Sequence, residues 1–487
     1  MSVNDFLSSF NDILHLTFLF GWACVLLLVD LFIPKDRKNI TAALAVLGLL
    51  ITLGILIARW GTTVSAFNGM IMVDGFSSYL SILLAVTGLL SIGVAYDYLK
   101  RTGLERGEYY ALLLFSLSGM MLMVGAADLI IIFLALELLS IPLYVLAGFA
   151  VPQPASEEAA LKYFLLGAFS SAIMVYGIAL EYGATATTSL TGIVEAIASG
   201  SADLTLVAIG AGLILIGLGF KVAVVPFHMW TPDVYQGSPT SVTAFMAVGA
   251  KVAGFAALLR VLVEAFSDPE LVSDLTPILW AFAALTVILG NVVALMQKNI
   301  KRLLAYSSIA HAGFIMMALV PYGQVELADA AVSAALFYLL AYTITNFAAW
   351  AVVITLERKE GVGLEIEDYA GLSRKYPLLA LTMTIAMLSF IGIPPTIGFM
   401  GKFAVFSVVI DGGYPVLALI GVITSLISAY YYLRVVVVMY MREGEPVVRK
   451  EAWLYTTALV TGACVLVMGV FSGPLLDWAT QAVMELF

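Results

Sequence analysis

Five basic side chains interrupt otherwise apolar stretches of this 487-residue chain: Lys162, Lys221, Lys251, Lys402 and Arg434. Burial and a nearby carboxylate act in opposite senses on an ammonium, so a buried lysine whose counter-charge can move is a site that loads and unloads a proton. Glu137 is a candidate counter-charge. It lies in the run Leu129 to Pro142, nine residues past Asp128, or about 14 Å at ~1.5 Å per residue and hence near the middle of a bilayer. Lys221 and Lys251 fall about halfway along their apolar segments. Lys402 follows a Gly-Pro interruption, where free carbonyls and half-helix ends favour a charge. Lys162 begins one apolar segment and Arg434 lies near the end of another, so both can also snorkel to an interface. His228 and His311 add two imidazoles, the side chain that titrates nearest neutral pH, as a modulator and a further relay. Neither has a metal-ligand companion one turn on, which speaks against a metal site.

Those residues need elements that hold them inside lipid, and the composition supplies little else. Hydrophobic residues make up 62% of the chain and charged residues 11%, with a mean hydropathy of +1.03. A soluble domain is about 45–50% apolar and about 25% charged. The net charge of −10 does not imply an acidic or basic partner, and no basic cluster marks a nucleic-acid surface. The two cysteines, Cys24 and Cys464, sit in apolar runs without a Cys-x-x-Cys spacing, so no iron–sulfur cluster or structural zinc is expected. Glycine-rich nucleotide signatures are missing as well, and no cofactor is expected in this chain. Leu14 to Ile33 is too long for the apolar core of a leader and ends at the basic run Lys35 to Lys38, as a membrane span does.

Spans of about 20 apolar residues divide the sequence into about fourteen segments. They are expected near 12–33, 40–60, 76–97, 109–126, 128–150, 160–182, 204–227, 241–265, 275–297, 302–321, 328–356, 377–410, 414–441 and 453–475. The fold class expected is therefore an all-α membrane protein. With the N-terminus outside, the odd-numbered connections hold sixteen of the 23 Lys and Arg residues: Lys35, Arg37, Lys38, Lys100, Arg101, Arg106, Lys298, Lys301, Arg302, Arg358, Lys359, Arg374, Lys375, Arg442, Arg449 and Lys450. Arg59 and Arg260 fall at external rims. Basic residues mark the cytoplasmic side, so both termini are expected outside a bacterial plasma membrane crossed many times. Segments 7 and 12 are broken by proline, at Phe220 to Trp230 and Ile391 to Lys402. They are five apart and would cross in opposite directions, the arrangement of two inverted five-helix repeats. The expected organisation is 1–108 (three helices), 109–265 (first repeat), 275–441 (second repeat) and 442–487 (a last helix).

The stretch Phe220 to Thr240 reads Phe-Lys-Val-Ala-Val-Val-Pro-Phe-His-Met-Trp-Thr-Pro-Asp-Val-Tyr-Gln-Gly-Ser-Pro-Thr and resembles the signature of the antiporter-like subunits of respiratory complex I. Ala135 to Leu138, Glu158 to Ala168 and Lys298 to Ile309 match as well, and the resemblance spans nearly the whole chain. Thr231 to Tyr235 and a lysine after Gly398-Phe399-Met400-Gly401 fit one of the three sister branches, as does an end after about fourteen helices without a long lateral extension. The resemblance implies that Glu137 pairs with Lys221, that Lys251 is the central relay and that Lys402 faces an exit half-channel, with Lys162 and His228 modulating the first half. It also implies a proton-translocating subunit among other membrane and hydrophilic subunits, with quinone, FMN and iron–sulfur clusters held by those partners. A subunit of a multisubunit cation/proton antiporter and a purely structural membrane scaffold are the alternatives.

Overall fold

In the computed structural model, residues 3–358, 362–449 and 451–483 are described; Lys359 and Lys450 of the basic tally lie outside them. The chain is helical almost throughout. It begins with α1 (Val3–Asp12) and α2 (Leu14–Asp30), which meet at 90°, then α3 (Asn39–Ala58). A short antiparallel hairpin, β1 (Val64–Ala66) and β2 (Ile71–Val73), precedes α4 (Gly75–Thr102), α5 (Gly107–Val124) and α6 (Leu129–Ala147). There follow α7 (Pro154–Thr185), α8 (Leu190–Ala198), α9 (Leu204–Val222), α10 (Trp230–Gly237) and α11 (Thr240–Arg260), the last running into a π-helical turn at Val261–Ala265. The second half comprises α12 (Pro269–Ala294), α13 (Ile300–Leu319), α14 (Ala328–Leu356), the single turn α15 (Leu372–Lys375), α16 (Pro377–Ile391), α17 (Ile397–Asp411) and α18 (Pro415–Met441). Two further helices, α19 (Ala452–Val470) and α20 (Gly473–Val483), close the chain.

Polar residues stop and start these helices where backbone groups would otherwise go unpaired. Asp74 caps α4 through Ser77 N at 2.7 Å in a reciprocal box, and Asp203, Asp268 and Asn299 accept from the first turns of α9, α12 and α13. Among the described residues twelve helices are long and apolar enough to span a membrane, thirteen if the bent α1–α2 pair is one span. Segment 377–410 is not a single helix: α16 and α17 have 15 residues each, too short alone, and are separated at 392–396. The amphipathic α8 and the hairpin lie in stretches where no element was expected, because neither is long or apolar enough to register as a span.

The layering explains where polar residues can go. α11 and α14 are wholly enclosed by other helices and α13 nearly so, whereas α3, α7, α18 and α19 present wide apolar faces outward. Lys251 is on α11, His311 on α13, and Tyr338, Tyr342 and Asn346 on α14. The chemistry-bearing residues therefore occupy the centre of the bundle, not its lipid-facing wall. Close helix approach helps: a Cβ on Gly290 of α12 would fall 2.6 Å from Ala310 N of α13.

Candidate functional site

Both broken segments end the same way. After Val222, Ala223 turns left-handed (φ 62°) and Val224 N returns to the Gly219 carbonyl; after Ile391, Gly392 does the same (φ 89°) and Ile393 N returns to Leu388. Each stop releases the carbonyls of a helix end inside the bundle, and in both cases a lysine takes one. Lys251 Nζ donates to Val222 O at 2.9 Å, and Lys402 Nζ donates to Ile391 O at 2.9 Å. Trp230 Nε1 takes the Phe220 carbonyl at 3.0 Å, and Thr286 Oγ1 accepts from Val225 N at 2.9 Å. The negative ends of two half-helices thus offset part of the cost of burying an ammonium.

From Glu137 the polar groups form a row. Ser171 Oγ donates to Glu137 Oε1 at 2.5 Å. Lys221, in the last turn of α9, does not touch Glu137; its ammonium donates to Ser140 Oγ (2.7 Å) and Tyr163 OH (3.2 Å). The expected direct ion pair is not among the contacts of the described residues: Ser140, one turn beyond Glu137 on α6, holds Lys221, and its own hydroxyl donates back to the Leu136 carbonyl. Gly254, one turn past Lys251, lets α11 approach the Lys221 stem. His311 follows, its Nδ1 2.8 Å from Tyr338 OH and its Nε2 3.3 Å from Tyr432 OH. Lys402 also donates to Ser425 Oγ at 3.0 Å and sits over the Phe314 ring, 4.4 Å from its centroid. Lys221, Lys251 and Lys402 are each at most 5% exposed.

The remaining candidates lie off this row. Lys162 is 41% exposed and belongs to a surface chain Glu158–Lys162–Asp233–Arg302, with contacts of 2.7–2.8 Å. His228 is half-buried in the stretch between α9 and α10, beside the exposed Met229, and its Nδ1 lacks a hydrogen-bond partner among the described residues. Arg434 reaches the Leu295 and Gln297 carbonyls at the end of α12, so it caps a helix instead of entering the row. Two residues assigned to the ends of segments are in fact interior. Arg260 is 1% exposed, bound to Asp74 (2.9 Å), Glu264 (2.5 Å) and the Val124 carbonyl; Lys301 is 2% exposed and donates to Ser238 O at 2.6 Å. Helix ends that tuck beneath their neighbours look like rims in a linear reading. At the same end as Lys301, Arg101 joins Glu451 (2.5 Å) and the Ile354 carbonyl, and burial pushes the Glu451 carboxyl up against the opposing pull of that guanidinium. Ser140, Tyr163 and Tyr432 escaped the sequence reading; the only signal was that Ser140 shares a helix face with Glu137.

Fold and row together define a membrane subunit of the antiporter-like class, built to hold charge in the interior of a helix bundle. Residues 126–428 match the family described as NADH:quinone oxidoreductase/Mrp antiporter, transmembrane. NADH-quinone oxidoreductase subunit N of Chloroflexus aggregans is 46% identical over 93% of each chain. A chain of the respiratory complex I of Thermus thermophilus, solved with bound aureothin, superposes with a TM-score of 0.82 at 38% identity, covering 95% of this chain and 98% of that one. A chain of the Mrp complex of a Dietzia strain shares the fold (TM-score 0.83, 21% identity, 96% and 97% covered). The chain belongs to the NADH-quinone oxidoreductase subunit N family.

Proposed function

We propose that protons move laterally through this subunit along Glu137, Lys221, Lys251, His311 and Lys402, driven by quinone reduction in other subunits of an NADH:quinone oxidoreductase. Proton translocation as a membrane subunit of such a complex is the function of the family. The observation that carries the residue-level reading is the pair of helix stops, each presenting a carbonyl to a buried lysine. A lysine held by a fixed dipole and not by a fixed carboxylate can change charge when its neighbour does, with little rearrangement. Loading Lys221 alters the field at Lys251, and His311 passes that change on to Lys402 at the exit half. Lys162 and His228 act on the first half from its edge. Two inverted repeats, 109–265 and 275–441, fit the matching stops, and α16–α17 counted as one broken span brings the total to fourteen. FMN, iron–sulfur clusters and quinone belong to partner subunits, and the concentration of Lys and Arg at one end supports a bacterial plasma membrane orientation with both termini external.

Glu137→Gln in the intact complex tests this reading. Assembly should persist while protons moved per electron fall. Assembly lost, with the surviving complexes pumping at the normal ratio, would mark a scaffold instead. The shared fold of the Mrp chain favours a second reading, cation/proton antiport. Sodium–proton exchange at full rate by vesicles holding this chain alone would establish it.

A further inference from the structure

Away from the row, α3 and α19 flank α4 and leave an apolar groove of about 590 Å³ between them. Asn39 and Val46 of α3, Leu89 and Tyr96 of α4, and Trp453 and Val460 of α19 line it. On each helix these two residues are seven apart, so the groove is about 10 Å deep at ~1.5 Å per residue. Its mouth is at the basic end of the bundle. Asn39 opens α3, Trp453 is the second residue of α19, and Tyr96 lies in the last two turns of α4. A tyrosine and an exposed tryptophan at that level are the side chains that settle at a membrane–water interface.

The protein itself fixes the shape of this groove. Asp97, next to Tyr96, accepts from Trp453 N (3.0 Å) and Leu454 N (3.2 Å), which ties the start of α19 to the end of α4. A Cβ on Gly93 would fall 2.8 Å from Thr457 Oγ1, so α4 and α19 meet closely along the floor. Thr457 turns its hydroxyl to the Trp453 carbonyl at 2.8 Å and leaves its wall of the groove largely apolar.

The rim, in contrast, is basic. Lys35 and Arg37 stand in the turn that leads into Asn39, and Lys100, in the last turn of α4, donates to Tyr96 OH at 2.7 Å. All three are exposed, and none makes an ion pair among the described residues. Asp36, between the first two, is exposed as well, whereas Asp97 is committed to the α19 backbone and Arg101 to Glu451. Two turns of α-helix, about 10 Å across and about 11 Å long, take up more room than the groove offers, but an acyl chain is narrow enough to enter. Basic side chains around a recess between membrane helices select an anionic headgroup.

We propose that this groove seats an acyl chain of an anionic phospholipid, with the phosphate held at the rim by Lys35, Arg37 and Lys100. The lipid fills the space between α3 and α19 and joins the first helices of the chain to its last. The site is independent of the lysine row and of how protons move along it.

The test uses the purified whole complex in phosphatidylcholine liposomes doped with one of two photoprobes, phosphatidylglycerol or phosphatidylcholine with a diazirine in the acyl chain. Labelled peptides are mapped by mass spectrometry after illumination. Peptides holding residues 89–96 and 453–460 should take on the order of ten times more of the phosphatidylglycerol probe than of the phosphatidylcholine probe. With Lys35→Gln, Arg37→Gln and Lys100→Gln combined, that ratio should fall to about one. Ala43→Trp, at a position lining the groove, fills it while keeping the rim charges, and should lower the phosphatidylglycerol label as far. Equal labelling by the two probes in the native chain, or a label that neither variant changes, overturns the site. So does a label displaced by excess long-chain quinone and not by unlabelled phosphatidylglycerol, which would mark an isoprenoid seat. A groove that takes no lipid label and cross-links to a neighbouring subunit overturns it too, as a seat for protein.

Discussion

Replacing Arg260 by methionine separates the anchoring of the bundle from its proton chemistry. The guanidinium is 1% exposed and holds three groups at once: Asp74 at the start of α4, Glu264 in the π-helical turn and the Val124 carbonyl at the end of α5. It also stacks on Phe76, 5.1 Å from the ring centroid. Arg260→Met retains the apolar stem but leaves two carboxylates without a cation in the interior. Removing one partner of a buried ion pair costs about 3–5 kcal/mol. At about 1.4 kcal/mol per factor of ten, that is a shift of roughly two to three and a half powers of ten in the equilibrium between intact and disrupted subunit. The assay is thermal inactivation of the detergent-solubilised complex, compared with Asp74→Asn and with the double variant. Because the residues touch, the cycle should return a coupling of about 1–3 kcal/mol. Complexes that survive assembly should still pump the normal number of protons per electron, since Arg260 lies nine residues, about 13 Å, beyond Lys251 on α11. Unchanged stability, additive effects, or a lost pumping ratio at undiminished stability would refute the assignment of Arg260 as an anchor.

Ser140→Ala removes the hydroxyl that links Lys221 to the Glu137 face of α6. A hydrogen bond to a charged group contributes about 1.5–3 kcal/mol, so the equilibrium that loads Lys221 should shift by about tenfold or more, read as slowed proton uptake with assembly intact. Unaltered uptake would mean that Glu137 and Lys221 communicate without Ser140. Gly290→Ala pushes a methyl to within 2.6–3.0 Å of the Ala310 backbone and Cβ, and overpacking of this kind costs about 1–3 kcal/mol. The yield of assembled complex should fall, and a wild-type yield would show that α12 and α13 have room to part.

The central row was legible in the sequence for a specific reason. Lone charges in apolar runs must have partners, and proline breaks must free carbonyls, so Lys251 and Lys402 declared themselves and the structure joins each to a released helix end. Lys162 and Lys301 show the limit. Both are lysines near a helix start at the same end of the bundle, yet Lys162 turns outward to Glu158 and Asp233 while Lys301 is covered by the α10–α11 turn. Position along a helix fixes depth in the membrane, but burial around the helix axis depends on neighbours tens to hundreds of residues away. The link between Glu137 and Lys221 was hidden for the same reason: Ser140 and Tyr163 reach Lys221 across 81 and 58 residues of sequence. α8 and the short hairpin follow capping and turn chemistry, not hydropathy, and so left no signal in a reading tuned to spans.

Lys251→Met in the intact complex, reconstituted in sealed liposomes, tests the central claim most directly. The methionine retains the apolar stem and removes only the ammonium bound to the Val222 carbonyl at the midpoint of the row. Protons translocated per electron should fall sharply while electron transfer to quinone continues in an assembled complex. A wild-type ratio from that variant would contradict the relay.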